Sequence, residues 1–408
     1  MRVSLTFGLL LVALYGVLPA SPQSPAGSQV LVLTNANVID GVSEKPIRHA
    51  TVIVRDGKIV SVATTSPKIP QGATVLDLKG KWLLPGLIDA HVHVNEDQAR
   101  VALESGITTV RTGNGGISVR DQHRAGVATL PDVVASGFQV VKQPGPRFFQ
   151  EFPQLADMKD GVRGPDHMRR IVRALIESGV DVIKILATER AGLEQADPQR
   201  RTFTDEELLA ATEAATLGGR AVMAHAHGDE GASAAVRAGV RSIEHGTYLS
   251  DATLSLMKAR GTFFVPTISV LERYAAMGGP GPQPSAIVAD RSRAMLPFLR
   301  AVTTKALKMG VRIVAGSDNT YQDTAKYGVQ DELTELRRAG LSPMAAIKAA
   351  TSVAAECLMI QARTGAIRPG LEADLIVVDR DPTADLDALR DVLFVLNDGK
   401  IVINRLPR

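Results

Sequence analysis

From Val30 the chain runs in short apolar stretches separated by turns. LVLTNANVID is followed by ATVIVRDGKIVSV, in which Asp56-Gly57 marks a β-hairpin, and then by ATVLDLKGKWLLPG. The far end repeats the pattern: ADLIVVDRD, then DVLFVLNDGKIVINR, with Asp398-Gly399 as a second hairpin turn. Neither end holds enough strands for a core of its own, so the two are expected to join as one small β-sandwich. Between them, candidate strands end near His93, Arg111, Phe138, Leu186, His225, His245, Ile268 and Asp318. They alternate with helical spacing in GPDHMRRIVRALIESG, FTDEELLAATEAATLGG, DEGASAAVRAG and SDATLSLMKARG, where Ser250 is a candidate N-cap. Ser342 and Pro343 are placed to start a helix over SPMAAIKAATSVAAECL. The alternation predicts an α/β fold, a (β/α)8 TIM barrel over residues 84–364. Residues 29–83 and 365–408 would supply the two parts of the sandwich. No GxGxxG follows the first strand and no Walker A sequence is present, so nucleotide folds lose their usual support.

Residues 1–20, MRVSLTFGLLLVALYGVLPA, carry Arg2 ahead of a largely apolar run from Leu5 to Leu18. This predicts a secretory signal peptide, with an uncleaved anchor as the alternative, and residues 21–28 read as a polar linker. No later segment is long and apolar enough to span a bilayer. The expectation is a secreted or periplasmic protein without a stable membrane span after cleavage. Hydrophobic residues at 45% and charged residues at 22% exclude a disordered chain. A net charge of +3 gives no reason to expect nucleic acid. Cys357 is the one cysteine, which excludes an intrachain disulfide and a cysteine-rich zinc module.

The chemistry lies in the histidines. Of 8, five fall at predicted strand ends: His91, His93, His225, His227 and His245. His49, His123 and His167 sit in polar or helical contexts and read as surface residues. Residues i and i+2 of a strand share a face, so His91 and His93 point together, as do His225 and His227. Neutral imidazole ligates zinc and similar metals. One HxH pair alone is as well explained by two polar residues at a strand end; the repetition on later strands is not. Asp318 closes the last candidate strand, where a carboxylate can bind metal or take a proton from a bound water. Alone, it would read as an N-cap. Lys184 lies inside the apolar VDVIKILAT. Lysine is rarely buried without a partner, and a dry cationic site depresses its pKa. The neutral amine can then add CO2 and become a carbamate able to bridge two cations; a lysine snorkelling from a strand end is the bland alternative.

PGLIDAHVHV, DVIKILAT, MAHAHG, SIEHG and AGSDN, in that order, resemble the amidohydrolase superfamily. GAIRPGLEADLIVVDRDP and the terminal DGKIV are similar to its C-terminal β-domain signature. The likeness runs from about Val30 to Ile403. The AHAHG and EHG forms look like the branch holding Xaa-Pro dipeptidases (prolidases), imidazolonepropionase-like proteins and ochratoxin-hydrolysing amidases. The resemblance implies two divalent metal ions, zinc by default, with Mn, Co or Fe also fitting. His91, His93 and Asp318 would hold the first, His225 and His245 the second, and carboxylated Lys184 would bridge them. His227 would contact the substrate carbonyl or the oxyanion, and Asp318 would also move the proton. The expected function is hydrolysis of an amide bond in a small substrate, a dipeptide such as Xaa-Pro or an N-acyl amino acid, by metal-bound hydroxide. Cyclic amides, carbamates or esters are the alternative substrates. A non-catalytic periplasmic binding or scaffold protein on the same barrel is the non-enzyme alternative, and a homo-oligomer stays open.

Substrate contacts are less legible. The TGGH-type motif common after the third strand in this branch is replaced by ASGFQVVKQPGPRFFQEFP. Lys142 or Arg147 there is a candidate for an anionic group, against a solvated basic loop. Phe138, Phe148, Phe149 and Phe152 suggest a lid or a pocket edge, against core packing. The segment after Lys184 lacks the glycine-rich run of relatives, and Arg190 and Tyr248 are the remaining candidate substrate contacts.

Overall fold

The computed structural model describes residues 29–65, 67–276, 284–322 and 328–407. The predicted signal peptide, residues 1–20, and the linker, residues 21–28, lie outside the described residues. The chain opens with β1 (Val30–Val38), β2 (Ile47–Arg55), β3 (Lys58–Ala63), β4 (Thr74–Asp77) and β5 (Trp82–Pro85). It continues through β6 (Leu87–Val92), β7 (Ile107–Thr112), β8 (Asp132–Val134), β9 (Val182–Leu186), β10 (Ala221–Ala226), β11 (Ser242–His245) and β12 (Phe263–Val265). β13 (Leu375–Val378), β14 (Val392–Asn397) and β15 (Lys400–Asn404) close it.

Both ends share one sheet, in the order β15-β14-β13-β5-β1-β2-β3, with β4 beside β1. β5 joins the halves: it runs parallel to β1 and antiparallel to β13. Alternate residues face one core built from Leu33, Val52, Leu83, Leu375, Val377 and Phe394. The hairpin turns fall where the sequence puts them. Asp56 and Gly57 have φ of 48° and 78°, Asp398 and Gly399 50° and 72°. The two turns also touch, since a Cβ on Gly399 would lie 2.2 Å from the Gly57 Cα, so that position needs glycine twice over.

The middle of the chain is a TIM-barrel-like α/β domain. β9 to β12 form one parallel sheet and β6 to β8 another. The predicted helices span Gly164–Glu177, Asp205–Leu217, Asp229–Ala238 and Asp251–Arg260. The Ser250 side chain caps the last of these by accepting from the Thr253 amide. Ser342 and Pro343 start a helix too, but it ends at Ala349, and Ser352–Cys357 is a separate helix.

Three strand ends differ from expectation. The third strand stops at Val134, four residues before Phe138, and the chain turns at Gly137, whose φ is 60°. The seventh stops at Val265, because Pro266 cannot donate to a ladder and Thr267 takes a φ of 51°. Ile268 instead opens the helix Ile268–Ala276. The eighth segment, VRIVAGSDN, forms isolated parallel bridges, Ile313 to Phe264 and Asn319 to Val92, rather than a regular strand. The buried Asp89 carboxylate explains this. It accepts the Ser317 amide at 2.9 Å and the Ser317 hydroxyl at 2.5 Å, replacing ladder bonds with side-chain bonds. Main-chain bonds from Ala90 to Ala315 and from Asp318 to His91 still tie this segment to β6.

His123 is no solitary surface residue. Its Nδ1 meets the Leu130 carbonyl at 2.7 Å, and its Nε2 lies 3.4 Å from Asp132 and 3.2 Å from Asp398. It thereby fastens β8 to the β14–β15 turn, with Arg363 pairing on the far side of Asp132. Hydrogen bonds to Asp132 and Asp398 raise its pKa to about 10, with burial opposing. A His whose folded pKa is raised contributes stability in full below its unfolded value near 6.5, and loses it as pH climbs through about 10. His123→Ala is therefore expected to cost about 1–2 kcal/mol at pH 6, discounted because Asp398 is partly solvated. The cost should shrink toward pH 10, and urea unfolding across that range checks it. A difference that is flat with pH would show that His123 acts by packing alone.

Candidate metal centre

The strand-end histidines converge on one cavity of about 330 Å³. Its lining includes His91, His93, Lys184, Arg190, His225, His227, His245 and Asp318, together with Gln139, Arg273 and Tyr274. Two donor triads stand inside. One nitrogen each from His225, His227 and His245 lie within 4.8 Å of one another, as do one atom each from His91, His93 and Asp318. Asp318 Oδ1 is 3.0 Å from His93 Nε2 and 3.6 Å from His91 Nε2. Lys184 Nζ lies 3.3 Å from His91 Nε2, and the His91 and His245 rings are 5.1 Å apart, so the triads adjoin.

The backbone is unusual here. His245, Thr267 and Asp318 take φ of 72°, 51° and 53° although none is glycine. Such conformations persist only where surroundings over-determine them, and they cluster at functional sites. Gly113 backs the His91 pair: a Cβ there would stand 2.7 Å from His91 Nε2.

Burial sets the protonation. Desolvation, with the Lys184 ammonium second, pushes His91 down to about 4. Desolvation brings His227 to about 3, and it holds His225 and His245 well below the usual histidine value. Neutral imidazoles offer the lone pairs a metal requires. Lys184 falls to about 8, again chiefly by burial, against the pull of Glu244 and Asp318. A neutral amine fraction near neutral pH is what CO2 addition needs. Burial disfavours the Asp318 carboxylate, but His91, His93 and Lys184 together hold it ionised. The nitrogen and oxygen donors of these adjoining triads fit a site for a divalent metal.

The ring orientations are fixed from behind. Glu244 is fully buried; its Oε2 meets His91 Nδ1 at 2.7 Å, and its Oε1 accepts from Arg111 at 2.9 Å and from Ser242 at 2.5 Å. With Nδ1–H held by Glu244, the Nε2 lone pair of His91 faces the cavity. Thr267 does the same for His245 at 2.8 Å, and Thr247 lies 2.9 Å from His227 Nδ1. His225 differs, since its Nε2 lies 3.2 Å from the Glu189 carbonyl. Glu244 and Arg111 were not singled out in the sequence. Their signal was the one that marked Lys184, a charged residue inside an apolar strand. Glu244→Gln would leave Arg111 buried without its counter-charge. Unfolding of the metal-free protein in urea is expected to show a loss of about 3 kcal/mol. A loss under 1 kcal/mol would mean that Arg111 finds another partner.

Other candidates lie elsewhere. Arg147 stands 6.0 Å from the Phe138 ring, outside the cavity lining. Lys142 pairs with Glu207 at 2.9 Å. Phe148 and Phe152 are buried and pack edge-on against Phe138, at 5.6 and 5.9 Å, as core rather than lid. The Tyr248 ring packs 5.6 Å from Phe298, and Tyr248 meets the site through its amide, which donates to the His227 carbonyl. Only Arg190 among these lines the cavity.

A TIM-barrel-like scaffold that gathers such a donor set at its strand ends defines a metal-dependent hydrolase. Residues 82–402 match the model of the amidohydrolase family, and the chain belongs to that family. It is 29% identical to the ochratoxinase of Aspergillus niger over 92% of this chain and 87% of that protein. A Xaa-Pro dipeptidase solved with methionine in its active site superposes with a TM-score of 0.81 at 28% identity, over 92% of this chain and all of the other. A putative prolidase from Bifidobacterium longum gives 0.80 at 29% identity, over 93% and 96%. These likenesses place the protein in the prolidase-like branch and make it a hydrolase of carbon–nitrogen bonds.

Proposed function

We propose that this protein is an exported binuclear metal-dependent amidohydrolase that cleaves an amide bond in a dipeptide or an N-acyl amino acid. The observation that carries the reading is the pair of adjoining donor triads that share one cavity with the buried Lys184. His91, His93 and Asp318 would hold one ion, His225 and His245 the other, with carboxylated Lys184 between them. Two such ions, zinc by default, supply Lewis acidity and ionise a water near neutral pH. The chain's own residues do the rest. Asp318 takes the proton of the attacking water and passes it to the leaving nitrogen. Thr247 Oγ1 lies 2.9 Å from His227 Nδ1, and in the tautomer that accepts there His227 would carry Nε2–H to donate to the developing oxyanion.

The scaffold reading goes with this. Main-chain bonds from the 312–319 segment to β6 and β12 support a closed (β/α)8 barrel over residues 84–364. The shared sheet supports one β-sandwich from residues 29–83 and 365–408. Export rests on residues 1–20 alone. Elemental mass spectrometry of protein purified without added metal or chelator is expected to find about two ions per chain. Turnover of at least one dipeptide or N-acyl amino acid should accompany them. Two ions without turnover of any amide, carbamate or ester would leave a binding protein instead.

A further inference from the structure

Two arginines share the cavity with the histidines. Arg273, from the helix Ile268–Ala276, is 8% exposed, and Arg190 is half-buried on the loop after β9. Among the described residues, neither meets a carboxylate at ion-pair distance. Arg273 Nη1 donates to the neutral Asn319 Oδ1 at 3.2 Å, and its guanidinium stands 5.1 Å from the Tyr274 ring. Arg190 donates to the neutral Gln139 side chain, which is itself tied to the Gly113 carbonyl at 2.7 Å. Arg111 shows the contrast, since it is buried more deeply than either and is paired with Glu244.

A desolvated guanidinium without a counter-charge is costly, and neutral amides compensate it only in part. Its planar fork matches a carboxylate in a bidentate geometry. Both arginines are also braced rather than free. Asn319 follows Asp318 directly. Arg291, from the helix Ala286–Met309, donates to the carbonyls of Ala191, Leu193 and Glu194 and so holds the Arg190 loop against the cavity. A cationic wall of this kind, kept within a cavity of about 330 Å³, is a site for a small anion attached to the reacting group.

We propose that Arg273, with Arg190 as a second cationic contact, is the residue that reads the free carboxylate of such a dipeptide or N-acyl amino acid and sets the preference for substrates that carry one. This rests on the hydrolase reading above. The departing amine then leaves as a free amino acid, and amides lacking the carboxylate are poor substrates.

The test compares N-acetyl amino acids with their decarboxylated partners, such as N-acetylphenylalanine and N-acetylphenethylamine, on the metal-loaded protein. The carboxylate member is expected to lead in kcat/KM by about 30-fold or more. Arg273→Gln should remove about tenfold or more of that preference, mainly through KM, and Arg273→Lys should restore part of it. Arg190→Gln should act in the same direction more weakly. A merely structural loss would lower both substrates together. A wild-type preference near one, or a preference unchanged in Arg273→Gln, overturns the proposal. If no amide is hydrolysed, the hydrolase reading fails, and titration with phenylalanine against phenethylamine decides the subsite. Tighter binding of phenylalanine that is lost in Arg273→Gln supports it, and equal binding overturns it.

Discussion

Asp318→Asn is expected to lower kcat by on the order of a thousandfold while the fold stays intact. Asparagine is nearly isosteric with aspartate. The main-chain amide of residue 318 would still donate to the His91 carbonyl at 2.7 Å, and the φ of 53° is one that asparagine tolerates. What vanishes is the charge and the capacity to accept a proton. Burial alone would favour the neutral acid, but His91, His93 and Lys184 surround the carboxylate and keep it ionised. Steady-state kinetics, circular dichroism and metal content on the same preparation check the prediction. Turnover within threefold of wild type at full metal occupancy would remove Asp318 from the proton path.

The residues that converge were legible because their signal is short-range. A period of two puts His91 with His93 and His225 with His227, and strand ends on one side of a parallel sheet bring separate motifs to one mouth. Lys184 stood out because an ammonium inside VDVIKILAT has few bland explanations. The supporting shell was less legible because its bonds cross the chain. Glu244 reaches Arg111 across 133 residues and His91 across 153, and no local pattern specifies such partners. Arg273 was hidden for a different reason. The sequence pattern predicts a strand running to Ile268, whereas Pro266 and Thr267 end it and the helix that follows turns Arg273 into the cavity. The phenylalanines near residue 148 misled in the opposite sense. Their apolar character is equally compatible with lid and core, and only packing distances separate the two.

Lys184→Ala should have the widest effect of any single substitution. The side chain is 1% exposed, its pKa is brought to about 8 mainly by desolvation, and its Nζ lies 3.3 Å from His91 Nε2. As an ammonium it would repel cations in both triads. As a carbamate it adds a negative charge and two oxygen donors, so the same residue switches from opposing metal to holding it. On the carbamate proposal, removing it would take away both oxygens at once and leave the neighbouring imidazoles without a shared anion. Metal content is expected to fall from about two per chain toward one or none, and kcat/KM by about 10³-fold or more. Two further results separate the carbamate from a lysine that merely packs. Metal-free wild-type protein should regain activity faster with bicarbonate present, because a carbamate bridge would need CO2 to add before a second ion is held. Acetate or propionate should restore part of the activity of Lys184→Ala, since a small carboxylate fits the space vacated and supplies the same two oxygens. Recovery independent of bicarbonate, together with no response to either acid, would return Lys184 to the role of an ordinary buried lysine. The metal centre would then have to be built from the histidines and Asp318 alone.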